Sequence, residues 1–122
     1  MIIKQGNSEL VTFQLIDDNT IANLATGVVD IVCTLKVKAD GSTSESTVGT
    51  WSLNGPPSGS GNLDIAVAAG SITVQIEATQ SINFPKGNLI AYTKVTKTYP
   101  LFEQSSHSVD NYIANIGRVE SL

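Results

Sequence analysis

Apolar and polar residues alternate along much of this chain with a period of two. The alternation is clearest in ELVTFQLID (9–17), VVDIVCTLKVKA (28–39) and SITVQIEA (71–78). Its apolar positions are Val11, Phe13, Leu15, Val29, Ile31, Cys33, Leu35, Val37, Ile72, Val74 and Ile76. Successive side chains of a strand point to opposite faces, so this period predicts strands with one buried and one wet face. Such strands are typical of antiparallel sheets.

Further strands are predicted from β-branched and aromatic residues between turn signals. They cover residues 2–5, 50–53, 63–67, 88–98 and 108–120. The segment 89–99 is apolar at both parities, so its inward and outward positions stay unassigned. The alternation of the last segment through Tyr112, Ala114 and Ile116 is interrupted at Gly117. One helical turn is predicted at 78–82, because Pro85 prevents a longer helix.

Two polar segments are predicted to be loops. ADGSTSEST (39–47) opens with an Asp-Gly turn, and NGPPSGSGN (54–62) is too rich in Gly and Pro for a strand. The second segment is either a plain connection or a binding loop on a rigid scaffold. Seven or eight short strands with such turns predict an all-β, antiparallel two-layer sandwich, with a small barrel as the alternative.

The length of 122 residues fits a single domain spanning 1–122, which can bury a core without a metal or a disulfide. The formal net charge of −4 and the scattered lysines give no basic stripe, so nucleic acid is not an expected partner. No stretch approaches the roughly 20 apolar residues that span a bilayer, and MIIKQGNSEL is unlike a signal peptide. A single cysteine, Cys33, fits synthesis in a reducing cytoplasm.

The candidate chemical groups predict neither catalysis nor a cofactor or metal. His107 lies among serines near Asp110 in a polar segment, and no Gly-x-Ser-x-Gly elbow accompanies it, so it is interpreted as a solvated loop residue. Cys33 belongs to the inward set of its strand, where a thiol is inert. The run Asp17–Asp18–Asn19 could ligate calcium weakly but is interpreted as a tight turn. A phosphate-binding loop requires a helix directly after its glycines, and none is predicted after the glycines at 54–62.

The segment GSITVQIEATQSINFPKGNLIAYTKV (70–95) has a distinctive order. A Gly-initiated alternating strand leads to a Thr/Ser corner, then to Phe-Pro-Lys-Gly at 84–87 and a returning strand. Near the N-terminus, Gly6 precedes a strand, and Leu24 and Gly27 precede a long second strand. Over residues 2–97 the chain resembles the immunoglobulin-like sandwiches of tailed-phage virions, close to the N-terminal domain of phage baseplate upper proteins and related tail and head-attached modules.

This resemblance implies an immunoglobulin-like antiparallel β-sandwich of about 7–8 strands without catalytic residues. It implies a structural component of the tail, baseplate, neck or capsid surface, synthesised in the bacterial cytoplasm and assembled into the virion. Its partners would be other virion proteins and further copies of this chain. The segment 99–122 has no counterpart in the family pattern and is expected to form an extra edge strand or a contact with a neighbouring subunit.

Four residues are predicted partner contacts: Trp51, Tyr99, Tyr112 and Ile113. Trp51, the sole tryptophan, belongs either to the core or its rim, or to a contact surface, since tryptophan suits both. The alternative function is a carbohydrate- or cell-surface-binding module that stacks sugars on Trp51, Tyr92, Tyr99 or Tyr112. An enzyme is the third hypothesis, and it requires a pocket with two or more titratable groups.

Overall fold

The computed structural model describes residues 1–25, 27–53, 62–98 and 107–122 of an all-β protein, as the alternation predicted. The described residues form ten strands and one helical turn. The strands are β1 (Ile2–Lys4), β2 (Glu9–Gln14), β3 (Ile16–Asp17), β4 (Thr20–Ile21), β5 (Val28–Ala39), β6 (Glu45–Ser52), β7 (Leu63–Ala66), β8 (Ser71–Ile76), β9 (Gly87–Thr98) and β10 (His107–Glu120). The helical turn α1 (Ala78–Ser81) lies between β8 and β9.

The strands form two sheets and a hairpin. The large sheet has the order β1-β10-β9-β5-β6, the small sheet has the order β2-β8-β7, and β3 pairs with β4. All pairs are antiparallel except β1 with β10, where Ile2–Lys4 run parallel to Arg118–Glu120. The prediction of purely antiparallel pairing is therefore wrong for β1. The chain passes from β1 directly to β2 in the other sheet, so β1 is free to pair with a strand distant in sequence.

Both sheets contribute to one buried core. Its fully buried members include Val11, Ile31, Cys33, Leu35, Val37, Trp51, Ile72, Val74, Ile76, Leu89 and Val95. The predicted inward positions of β5 and β8 are thus confirmed, with the exception of Val29, which is 40% exposed. A β-bulge between Val28 and Asp30 changes the facing of the backbone at that point.

Strand β6 begins earlier than the polar sequence predicted. Residues 45–47 were expected to belong to a loop, yet Glu45 pairs with Lys38 and Thr47 with Lys36 of β5. Ladder hydrogen bonds with β5 compensate for the weak strand propensity of these small polar residues. The loop prediction at 54–62 lies outside the described residues except for Asn62.

The predicted tight turn at Asp17–Asp18–Asn19 is confirmed as the tip of the β3–β4 hairpin. Asp18 and Asn19 have φ angles of 49° and 63°, the left-handed values that a two-residue hairpin turn requires. Asp and Asn adopt this conformation more readily than other non-glycine residues. The hairpin raises the strand number above the predicted seven or eight.

The predicted helical turn is confirmed as α1, and it fastens the segment after β1. The Glu77 side chain accepts a bond from the backbone N–H of Gln80, and the Gln80 side chain accepts one from the N–H of Glu77. The buried Ser81 hydroxyl donates to the Asn7 carbonyl (2.7 Å) and accepts from the Gly6 N–H (3.0 Å). The corner at 78–87 therefore holds the crossing between the two sheets in place.

Strand β10 pairs with β9 along almost its whole length, from His107 opposite Thr98 to Val119 opposite Gly87. The backbone of His107 thus lies in a strand rather than in the predicted loop. A bulge between Asn115 and Gly117 interrupts the register where Gly117 was expected to end the alternation. Only Arg118–Glu120 also pair with β1, so β10 is the outermost described strand over residues 107–116.

Candidate docking surfaces

The solvent-facing side of the large sheet carries a group of apolar side chains. In the strand register Ile113 lies opposite Tyr92, and Val32 lies opposite Lys94. Directly opposite residues share a face, and Ile90, Tyr92 and Lys94 share one by alternation. The resulting surface, here called the sheet patch, consists of Val32, Ile90, Tyr92 and Ile113 with Lys36 and Lys94.

The sheet patch surrounds a shallow depression of about 410 Å³. Its lining includes Val32, Thr34, Tyr92, Lys94, Asn111 and Ile113. Ile113 is 68% exposed, whereas Tyr92 is half-buried. An apolar depression with a protruding isoleucine and flanking lysines can receive an apolar side chain of another protein and pair with acidic groups around it.

Two polar contacts hold the Tyr92 ring in position. Its hydroxyl donates to Glu45 Oε1 at 2.6 Å, and the Lys36 ammonium lies 4.8 Å from the ring centre. The hydrogen bond to Glu45 raises the pKa of the Tyr92 hydroxyl, since the bond favours the protonated form. Because the ring is already ordered, docking against it costs less conformational entropy.

A second concave surface lies between the β3–β4 hairpin and β10, and it is here called the edge groove. Its volume is about 440 Å³, and its lining includes Asp17, Thr20, Asn23, Val109, Asp110 and Tyr112. Burial, followed by the charges of Asp110 and Asp17, raises the pKa of the Tyr112 hydroxyl. Among the described residues, neither carboxylate has an ion-pair partner. The edge groove is therefore acidic.

The predicted contact residues lie in different parts of the molecule. Ile113 lies on the outer face in the sheet patch, while the alternation of β10 directs Tyr112 to the opposite side; Tyr112 lines both the depression at the sheet patch and the edge groove. Trp51 is fully buried, which confirms the core interpretation and excludes a contact role in the folded protein. Its Nε1 donates to the Gln75 carbonyl at 2.7 Å, across the two sheets. Tyr99 lies outside the described residues.

The same geometry separates the aromatic residues considered for sugar stacking. Tyr92 shares a face with Ile113, whereas Tyr112 lies opposite the buried Thr93 on the inner side of β10. Trp51 is inside the core. These three rings therefore do not build a common flat platform, which is how aromatic residues usually hold a sugar chain.

Sequence reasoning missed Val32, Ile90 and Lys94 as members of the sheet patch. A signal was present, since β9 is apolar at both parities and its facing could not be assigned. Leu89, Ala91 and Val95 fill the core, which leaves Ile90 and Tyr92 outside. Strand β9 thus has more apolar residues than one face can bury, and this excess is the sequence feature that indicates the sheet patch.

A charged cluster closes one end of the large sheet. Arg118 donates to Asp40 (2.9 Å), Glu120 (2.9 Å) and the side-chain carbonyl of Asn88 (3.0 Å). These bonds lower the pKa values of the Asp40 and Glu120 carboxyls and raise that of the guanidinium. Each charged group of this cluster has an ion-pair partner. The cluster therefore links β10 to the neighbouring parts of the large sheet.

The remaining titratable groups of the described residues show no grouping suited to metal binding. Within the described ranges, no three or more His, Cys, Asp or Glu residues come close enough to hold a metal ion. Burial raises the pKa of the Cys33 thiol to about 11, so this group is almost wholly protonated at neutral pH. No helix in the described part of the chain has the length and apolar character needed to cross a membrane.

Comparisons with known proteins give no assignment: no family model, no curated protein and no solved structure matches the chain.

Proposed function

We propose that this chain is a non-catalytic docking module and a structural component of a tailed-phage virion, located at the tail, baseplate, neck or capsid surface. The observation that carries the docking role is the sheet patch. A solvated antiparallel sheet normally turns polar side chains outward, whereas here Val32, Ile90, Tyr92 and Ile113 share the outer face. Apolar patches bordered by polar residues mark interaction sites.

Strand order supports an immunoglobulin-like sandwich. The order β10-β9-β5-β6 corresponds to strands G, F, C and C′ of variable-type domains, and β2-β8-β7 corresponds to B, E and D. Two features differ from antibody domains. Cys33 lies on β5 without a disulfide partner, and the buried tryptophan is on β6 rather than on strand C.

Support for the virion assignment comes from the sequence pattern at 70–95. Its elements follow one another as β8, α1, the Phe-Pro-Lys-Gly turn and β9, in the order that the phage sandwich pattern has. The proposal includes assembly from the host cytoplasm into the particle. Other virion proteins, and further copies of this chain, are the expected partners.

Mass spectrometry of gradient-purified particles from a strain that encodes the chain tests the proposal. We expect recovery at a fixed copy number per particle, with few copies for a tail ring and hundreds for a capsid decoration. Absence from clean particles, with the protein abundant in the lysate, would contradict the virion assignment.

A matched pair of variants tests the sheet patch itself. Ile113 and Leu10 are 68% and 66% exposed, on strands of different sheets. We expect Ile113→Asp to lower incorporation into particles at least tenfold, because a carboxylate would have to be desolvated at the contact. Leu10→Asp should incorporate like the unchanged chain. Equal incorporation of both variants would exclude the patch as the docking surface.

A further inference from the structure

Among the described residues, β10 forms an unpaired sheet edge over residues 107–116. Over residues 107–116 it has β9 on one side, and among the described residues no strand pairs with its other side. In an antiparallel strand alternate residues direct both backbone N–H and C=O away from the neighbour. About half of the backbone groups in this stretch are therefore oriented to bind another strand.

This edge has few of the features that usually prevent pairing. Natural edge strands are protected by lysines and other charged residues, by prolines, by bulges or by short length, and Asp110 is the one acidic residue in this stretch. Residues 107–116 contain no Lys, Arg or Pro, and the bulge comes only at Asn115 and Gly117. Val109 and Ile113 are 50% and 68% exposed on its outer side. The edge is thus long, largely uncharged and partly apolar.

The chemistry of the occupant follows from the two sides of the edge. A strand laid along β10 would place alternate side chains on the outer side, beside Ile113 and beside Val109, which also lines the edge groove, and the others in that groove near Asp17 and Asp110. The first set should be apolar and the second basic. A second copy of β10 would bring its own Asp110 toward these carboxylates, so charge favours a different chain.

We propose that the free edge of β10 binds an extended segment of another virion protein by strand addition, with Lys or Arg directed into the edge groove and apolar side chains on the outer side. Backbone bonds would provide affinity, and the alternating side chains would provide specificity. The inference rests on the proposed function for the source of the segment, but its chemistry is independent of that source.

Synthetic peptides serve as the probe. An acetylated eight-residue peptide alternating Val and Lys is compared with its Val/Glu counterpart, using ¹⁵N chemical shifts of the full chain. We expect at least tenfold tighter binding of the Lys peptide, with shifts concentrated in residues 107–116 and 17–23. Equal affinity of the two peptides, or shifts elsewhere on the chain, would overturn the proposal.

Backbone methylation separates strand pairing from simple charge attraction. Two further Lys peptides carry N-methyl groups at alternate nitrogens, offset from each other by one residue. Strand addition requires that only one of them lose binding, because only one set of N–H groups faces β10. Loss in both or in neither would exclude pairing at this edge.

Charge variants test the groove. Asp17→Asn combined with Asp110→Asn should weaken binding of the Lys peptide at least tenfold, whereas Asp64→Asn, at an exposed position of β7 in the small sheet, should leave it unchanged. Similar weakening by both would indicate non-specific attraction and overturn the site.

Peptide binding with no protein in particles would contradict only the virion assignment. Presence in particles without peptide binding would contradict only this inference.

Discussion

The outer faces of the two sheets differ although both sheets share one core. The small sheet turns the hydroxyls of Thr12 and Thr73 toward water, bonded to each other at 2.7 Å, and Leu10 is the large apolar residue it exposes on β2. The large sheet instead gathers Tyr92 and Ile113 with other apolar residues on its outer face. The inward faces of both sheets are buried alike, so the outward faces distinguish the small sheet from the large sheet, for which we propose docking.

The largest effect is expected where the two sheets meet. Trp51 of β6 is fully buried and bonds to Gln75 of β8, so Trp51→Ala removes both packing and the bond between the sheets. We expect a loss of about 3–5 kcal/mol in the free energy of unfolding, measured by urea denaturation. The control Leu10→Ala should change it by less than about 0.5 kcal/mol. A similar small change for Trp51→Ala would contradict the shared core.

A smaller loss is expected at Gly49 of β6. A Cβ atom there would lie 2.5 Å from the Trp51 ring, so the ring packs on the bare glycine backbone. Gly49→Ala should cost about 1–3 kcal/mol, because the buried ring has little room to move. The cost should fall in a Trp51→Phe background, where the ring is smaller. An equal cost in both backgrounds would show that the tryptophan is not the cause.

The next effect depends on pH and concerns the end of the large sheet. The pKa values of Asp40 and Glu120 are lowered in the folded state by Arg118. The contribution of these two carboxylates to the free energy of unfolding is therefore present above the unfolded-state pKa values of about 4. It is lost as the pH falls through the folded-state pKa values. The stability difference between the unchanged chain and Arg118→Met should shrink between pH 7 and pH 3.

Carboxyl ¹³C titrations provide the direct measurement of this cluster. Both carboxyl pKa values should rise in Arg118→Met, whereas Lys38→Met, on the same sheet without a described ion pair, should leave them in place. Unchanged values in Arg118→Met would show that the guanidinium does not set them.

The smallest effect is expected on the outer face of the small sheet. The Thr12 and Thr73 hydroxyls form an exposed cross-strand pair, and such pairs contribute roughly 0.2–1 kcal/mol. A double-mutant cycle with Thr12→Val and Thr73→Val measures the coupling by urea denaturation. Coupling within this range supports a merely structural face, and a larger value would indicate that this face is more specialised than described.

Much of the local structure could be predicted from the sequence. The alternation from Ile31 to Val37 places each side chain correctly, because side-chain direction in a strand is a local property of the backbone. The turn at Asp18–Asn19 and the helical turn before Pro85 are also local, since they depend on the φ preferences of a few neighbouring residues. Alternation failed at Val29, where a bulge set by pairing with β9 changes the facing.

The sequence by itself thus determined the all-β class, most strands and most inward positions. Only the tertiary structure decided that β1 runs parallel to β10, that Asp40 meets Arg118, and that Ile113 lies beside Tyr92. These contacts join residues far apart in the chain. Their register depends on which strands pair and on how both sheets close over one core, so no local pattern specifies which outward-facing residues become neighbours.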